Sequence, residues 1–535
     1  MVVLNTAKPR RQGMFQTYPQ FPSNARGTSY PRENQTQILD DFKRSSTNQR
    51  QFAKESNLPR TTLQYWNVRS DRLHEHSLAA SFFETPDGLE VLHRIATAAQ
   101  FVITQLSGGS VRDYSQFLRL SQLDVFIASS VGSIHQTTTK MEQAICDFGQ
   151  EQKNTLAQKM PHKNIVIAED ETFHPEICLV TIEPESGFTL LEQYAKDRKA
   201  VTWDMAMQGA LKGLNVTIIQ SVTDGACALQ SHVEKGLDVH HAPDLFHVQH
   251  ELCKATSFPL SSKQKKAEKA LVKAKSEEKE EAQKEVERFE GYRKKVRDGL
   301  KNISQAYNPV SPQTGRLKEP EELEQELDEQ IQGFEKIAEE VDLSESSKER
   351  IQKAKRVLPK MVATLAFYMN MLKLRVEGFN LSSEWKALFF RSLFAGVYME
   401  KIAKVQRFSE GRKMLQARSD DLLEEWREKE MELDKGLSTR LEQAARAWAS
   451  LFVRVSSCVE GRNGQLEKHK RNSRRLSKRK LEALTVLHNF HIKREDGTTA
   501  AQRFFENEHD DLFEHLVKVL EYPKRPATRR RKIEA

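Results

Sequence analysis

Lys163–Pro184 reads KNIVIAEDETFHPEICLVTIEP, and Asn215–Gly225 reads NVTIIQSVTDG. The first stretch holds two apolar runs, Ile165–Ala168 and Ile177–Ile182, and Phe188–Leu191 follows as a third. Ala200–Leu214 has helix formers with apolar spacing near 3.6, and Asn215–Gln220 is again β-rich. The order strand, strand, strand, helix, strand, helix predicts a mixed α/β sheet. Acids end two of the runs: Glu169, Asp170 and Glu171 after the first, Asp224 after the last. An unpaired carboxylate beside apolar strands is costly. A divalent cation would resolve that cost, because Mg²⁺ takes hard oxygen ligands. Turn acids that cap the next element would resolve it as well.

Working outward, the chain has 535 residues, enough for several domains. It is 30% charged with a formal net charge of +8, which favours a polyanionic partner. Five scattered cysteines, an odd number without paired spacing, predict reduced thiols in a cytosolic protein. No apolar run approaches 18 residues, so no membrane helix is expected. MVVLNTAKPRRQG at the N-terminus lacks the apolar centre of a signal peptide.

Residues 1–33 carry four prolines and several basic side chains and read as a flexible basic arm. Thr36–Arg69 predicts three short helices. Ile38, Leu39 and Phe42 face inward from the first, Phe52 and Ala53 from the second, and Leu63 and Trp66 from the third. The turn Asn57-Leu58-Pro59 separates the last two, a helix-turn-helix arrangement whose final helix enters the major groove. Arg60, Thr61, Thr62 and Gln64 lead that helix and are the candidate base readers, since Arg can pair with guanine and Gln with adenine. An ordinary three-helix bundle has the same pattern.

Residues 86–160 are helical in pattern and read as a linker domain. Ser261–Val357 is rich in Lys, Glu, Gln and Ala, with a break at Pro309–Pro312. It predicts a charged, coiled-coil-like hairpin of two long helices with a solvated face. Leu358–Lys404 is far more apolar and should pack the insertion back on the core. Between sheet and insertion, His247-x2-His250-x2-Cys253 has zinc-ligand residue types but no second ligand pair nearby. Residues three apart share a helix face, so packing or phosphate contacts explain the set equally. Downstream, Glu460 begins or lies in a helix. Lys468, Lys470, Arg471, Arg474 and Arg475 open a dense basic stretch extending to Lys480, read as a basic helix suited to phosphodiesters.

Asp170-Glu171-Thr172 and Thr223-Asp224-Gly225, each after a strand, are followed by Asp244-Leu245-Phe246-His247-Val248 and, far downstream, by Ser456-Ser457-Cys458-Val459-Glu460-Gly461-Arg462-Asn463-Gly464. Together these resemble bacterial insertion-sequence transposases of the DDE type, over residues 160 to 505 or so. The resemblance implies an α/β RNase H-like core interrupted by a large all-α insertion, with an N-terminal all-α helix-turn-helix region. It implies that Asp170, Asp224 and Glu460 are catalytic and hold Mg²⁺ (or Mn²⁺), two ions about 3.5–4 Å apart. His247 becomes a neighbour of the scissile phosphate. The partners implied are double-stranded DNA, as element ends and target, and at least one further copy of the chain, with no membrane. The implied location is the bacterial cytoplasm, on the nucleoid. Two alternatives stand beside it: an RNase H-like nuclease that cuts without joining, and a catalytically silent, transposase-derived DNA-binding protein. Because a strand alternates faces, Glu169 and Glu171 should point away from Asp170.

The resulting domain order is the arm (1–33), the helix-turn-helix domain (34–85), the linker domain (86–160) and the first part of the core (161–260). The insertion (261–450), the last part of the core with the glutamate helix (451–510), and a helix with a basic tail (511–535) follow.

Overall fold

The computed structural model describes residues 32–68, 82–83, 85–173, 175–471 and 475–522. The N-terminal arm up to residue 31, Arg69, Arg474 and the basic tail beyond residue 522 lie outside the described residues. Among the described residues no helix is long and apolar enough to cross a membrane. The chain forms two compact units, residues 149–510 and residues 1–148 with 511–535.

The larger unit is built on a five-stranded sheet with α-helices around it, a mixed α/β core. The strands are β1 (Lys163–Phe173), β2 (Ile177–Glu183), β3 (Phe188–Tyr194), β4 (Val216–Thr223) and β5 (His240–Pro243). Their order is β3-β2-β1-β4-β5. β1, β2 and β3 are antiparallel neighbours, whereas β4 and β5 run parallel to β1. β1 is therefore central, and Ile165–Ala168 is buried on both faces, as a continuous apolar run requires. The helix Ala200–Leu211 makes the crossover from β3 to β4. β5 was not visible in the sequence: its four residues include two histidines and carry no β-branched signal.

The expected hairpin of two long helices is found only in part. Lys279–Ala306 and Pro320–Glu340 are joined by a loop that contains Pro309 and Pro312. Ser261–Val357 is, however, divided among four helices, with Phe258–Lys273 packed on the first of the pair and Glu345–Lys355 on the second. The apolar helix Leu358–Glu377 packs on β5, where His240 Nε2 and the Thr364 hydroxyl are 3.0 Å apart and the His240 ring stacks on Phe367. One large core joins β1, β4 and β5 to the insertion helices. Beyond the insertion, the helix Ser457–Lys470 packs on β1 and β2, and the helix Lys478–Phe490 packs on β3. Asn489 closes a paired contact with the backbone of Thr189, its amide donating at 3.0 Å and its carbonyl accepting at 2.9 Å. The Val131–Lys159 helix approaches the Lys478–Phe490 helix so closely that a Cβ on Gly149 would sit 2.3 Å from Val486.

The smaller unit contains the three helices Arg32–Arg44, Gln49–Glu55 and Arg60–Val68. Asn48 caps the second through bonds from the N–H groups of Arg50 and Gln51. Ile38, Leu39, Phe52, Ala53, Leu58, Leu63 and Trp66 form their shared core. A second cluster gathers Leu92, Ala96, Tyr114, Leu118, Ile127 and Ile134. The late helix Leu512–Val519 returns to this unit against Pro86–Gln100, with Val517 O 2.9 Å from His93 Nε2. Tyr522 then donates its hydroxyl to Ala96 O at 3.1 Å and Gln100 Oε1 at 2.7 Å.

Candidate active site

Asp170 lies inside β1, opposite Val180 of β2, and not in a turn after the strand. Its neighbours Glu169 and Glu171 face the other side, as alternation demands. Glu169 is fully buried, accepts the Ser221 hydroxyl at 2.6 Å and lies 3.4 Å from His232 Nε2. Glu171 accepts from the Trp203 indole at 3.3 Å and pairs with Arg198 at 3.4 Å. The parallel register sets Ala168 beside Val222, so two residues farther on Asp170, still within β1, lies level with Asp224 just past the end of β4. Asp224 is exposed, and its Oδ1 accepts the Ala226 N–H at 2.8 Å across a turn in which Gly225 has φ +79°. Asp224 is thus a turn acid, although no side chain caps the helix Cys227–Ser231 that follows, and Asp170 is not one.

The same edge gathers the next two motifs. β5 ends at Pro243, and the Asp244 N–H donates to Thr223 O at 3.0 Å, which ties the ends of β4 and β5 together. Asp244 is buried and caps the helix Leu245–Leu252 by accepting from Phe246 N at 2.8 Å. Its second oxygen is 3.0 Å from His247 Nδ1 and accepts the Ser456 hydroxyl at 2.6 Å. Ser456 precedes the helix whose first turn carries Glu460, and Leu245 N donates to Arg454 O at 2.9 Å. One buried carboxylate therefore links the histidine motif to the segment that launches the glutamate helix.

Burial of Asp170 pushes its carboxyl up to about 6; the Glu171 N–H at 2.7 Å opposes the rise, Asp224 and Glu460 add to it, and His247 offsets part. The His247 imidazolium is favoured by its bond to Asp244 and by the charges of Asp224 and Asp170. Four groups from four chain segments thus share one electrostatic neighbourhood. Glu460 is exposed. Among the described residues no group of three or more His, Cys, Asp or Glu side chains closes on a metal-sized space. The zinc alternative has no support there either: His247 is engaged by Asp244, and His250 stacks on Phe246 with ring centroids 5.6 Å apart.

Two expectations on the DNA side need correction. Thr62 is buried, 5% exposed, because positions 62, 63 and 66 form the inward face of the Arg60–Val68 helix; it cannot meet a base edge. Arg60, Thr61 and Gln64 are exposed. The basic stretch is not one helix, since it spans the end of Ser457–Lys470, a connection, and the start of Lys478–Phe490. Lys468 and Arg471 are exposed, while Lys470 lies 3.6 Å from Glu467 and Arg475 pairs with Glu176 at 2.5 Å. Asp244 and Ser456 stood inside the quoted motifs, but nothing in the sequence showed that they bond to each other.

Residues 389–532 match a family of unknown function, DUF6399, a segment that includes Glu460 and the basic stretch but neither Asp170 nor Asp224. No curated protein matches the chain, and no solved structure matches it.

Proposed function

We propose that the chain is a DNA transposase of the DDE type with an RNase H-like core, cutting DNA at element ends and joining the 3′-hydroxyl ends to target DNA. The observation that carries this reading is the environment of Asp170: a desolvated carboxyl pushed up to about 6 in the company of Asp224, Glu460 and His247. Burial and the two neighbouring acids outweigh what the Glu171 N–H and the His247 ring return to it, so its charge is left only partly answered by its own chain. The donor chemistry fits Mg²⁺ or Mn²⁺, which takes one or two carboxylates and completes its shell with water and substrate phosphate, so a closed protein cage is not required. Asp170, Asp224 and Glu460 would hold the ions, which supply an activated water or 3′-hydroxyl and stabilise the leaving oxygen.

The rest falls to the chain's own groups. Asp244 holds the His247 ring through Nδ1, so an imidazolium keeps its Nε2–H to donate to a phosphate oxygen. Lys468 and Arg471 contact the backbone of the duplex, and Arg60, Thr61 and Gln64 read element ends. Two ends brought together require at least two copies of the chain.

Asp224 and Glu460 are both exposed and Asp224 spends one oxygen on a turn, which favours a second reading: a catalytically silent DNA-binding relative. Incubation with Mg²⁺ and a duplex carrying the element end separates the possibilities. Cleavage followed by joining supports the transposase, cleavage alone marks a nuclease, and binding without either marks the silent relative.

A further inference from the structure

Arg462 follows Glu460 by two residues on the Ser457–Lys470 helix, and residues two apart lie on nearly opposite sides of a helix. Glu460 is exposed, while the Arg462 side chain is 4% exposed and enters the protein. There it meets Glu192 of β3 in a forked ion pair, with Nε 2.9 Å from Oε1 and Nη2 2.6 Å from Oε2. The Thr485 hydroxyl, from the Lys478–Phe490 helix, donates to the same Oε2 at 2.5 Å. The Glu192 side chain has no solvent exposure. Burial opposes its charge, but Arg462 and Thr485 outweigh burial and hold its pKa below the usual range, so both partners are charged.

A buried ion pair of this kind is poor evidence for stability, because a well-packed apolar pair often serves as well. Its geometry points to another use. Asp170 is directly opposite Val180, and Val180 is directly opposite Glu192. The three residues form one row across three strands, on one face of the sheet, spanning about 10 Å at the usual strand spacing. Asp170 stands at one end of that row and the anchor of Arg462 at the other.

We propose that the Arg462–Glu192 pair is a positioning device that sets Glu460 against Asp170 by pinning the glutamate helix to the same cross-strand row. The fork fixes the rotation of the helix as well as its distance, since two parallel N–H···O bonds admit one orientation. Rotation matters because Glu460 sits in the first turn, where a small roll of the helix moves its carboxylate away from the acid edge. Arg462 touches neither substrate nor ion; it acts through Glu460. The inference rests on the reading of Asp170, Asp224 and Glu460 as ion ligands.

The test compares the full-length protein with the charge-neutral double variant Arg462→Met/Glu192→Leu, which keeps a filled, apolar contact. Mn²⁺ binding is measured by electron paramagnetic resonance, and the Mg²⁺ concentration for half-maximal cleavage is measured on an element-end duplex. Expected are an unchanged circular-dichroism spectrum, unchanged DNA binding, Mn²⁺ affinity weakened by about 10- to 100-fold, and a matching rise in the Mg²⁺ requirement. A folded double variant with wild-type Mn²⁺ affinity and Mg²⁺ dependence overturns the proposal and leaves the ligand reading intact. If the double variant does not fold, Arg462→Lys, which keeps the charge but not the fork, decides by the same two readouts. A wild-type protein that neither binds Mn²⁺ nor cleaves brings down the ligand reading, and this inference with it.

Discussion

The two faces of β1 hold acids one residue apart with opposite fates. On one face Glu169 and Glu171 are given donors by their own chain: Ser221, Thr181, Trp203 and Arg198. On the other, Asp170 receives a single backbone N–H from Glu171, lies near Asp224 and Glu460, which repel it, and is offset only in part by His247. The first arrangement answers the charge within the folded chain, and in the second burial outweighs what the chain returns. An acid whose cost of burial is left outstanding marks a place where folding gives way to chemistry.

The largest expected difference between the faces is in activity. Asp170→Asn should lower strand cleavage at least about a thousandfold, equivalent to about 4 kcal/mol of transition-state stabilisation, without changing DNA binding. Gel assays of cleavage and of binding on the same duplex check both parts, and retained cleavage removes Asp170 from the site.

Stability should separate the faces by sign. The folded-state pKa of Asp170 lies near 6, above its unfolded value. Its protonated form therefore favours folding, a contribution fully present below about pH 4 and lost as pH rises through about 6. Without metal, Asp170→Asn should stabilise the protein by about 1–3 kcal/mol at pH 8 and by almost nothing at pH 4. Glu169→Gln should instead destabilise it by about 1–3 kcal/mol, because a buried acceptor is exchanged for a group with fewer places to receive Ser221 and Thr181. Urea unfolding of both variants at pH 4 and pH 8 checks the contrast, and equal signs would erase it.

The smallest effect concerns the helix Arg60–Val68, proposed to read element ends, where the same distinction separates inward and outward side chains. Gln64→Ala should weaken end-specific binding by about 1–3 kcal/mol. Thr62→Val, at a buried position, should change specific binding by less than about 0.5 kcal/mol, apart from any loss of stability. Fluorescence anisotropy against specific and scrambled duplexes distinguishes them.

Much of the core was legible because its signals are local. Apolar runs at Ile165–Ala168 and Ile177–Ile182 announced strands, and period-2 alternation separated Asp170 from Glu169 and Glu171 before any coordinates. The Leu63–Trp66 spacing marks the inward face of the helix Arg60–Val68, but Thr62 shares that face, which the position of the polar residue types does not reveal. What stayed hidden depends on contacts between distant segments. Nothing near Arg462 names Glu192 as its partner, and nothing near Ser456 names Asp244. β5 was hidden for a different reason, since its place beside β4 comes from tertiary packing and not from strand-forming residues.

The return of Leu512–Tyr522 to the unit that contains residues 86–148 has a bearing on biosynthesis. A ribosome releases the early helices long before the segment that covers Ala96 and Gln100 exists, at about 5–20 residues per second. The larger unit can finish folding while the smaller one still waits for its last helix. The early cluster of Leu92, Ala96 and Tyr114 is thus covered late, and a chain stalled or cleaved shortly before Leu512 would leave that cluster open however well the sheet had formed.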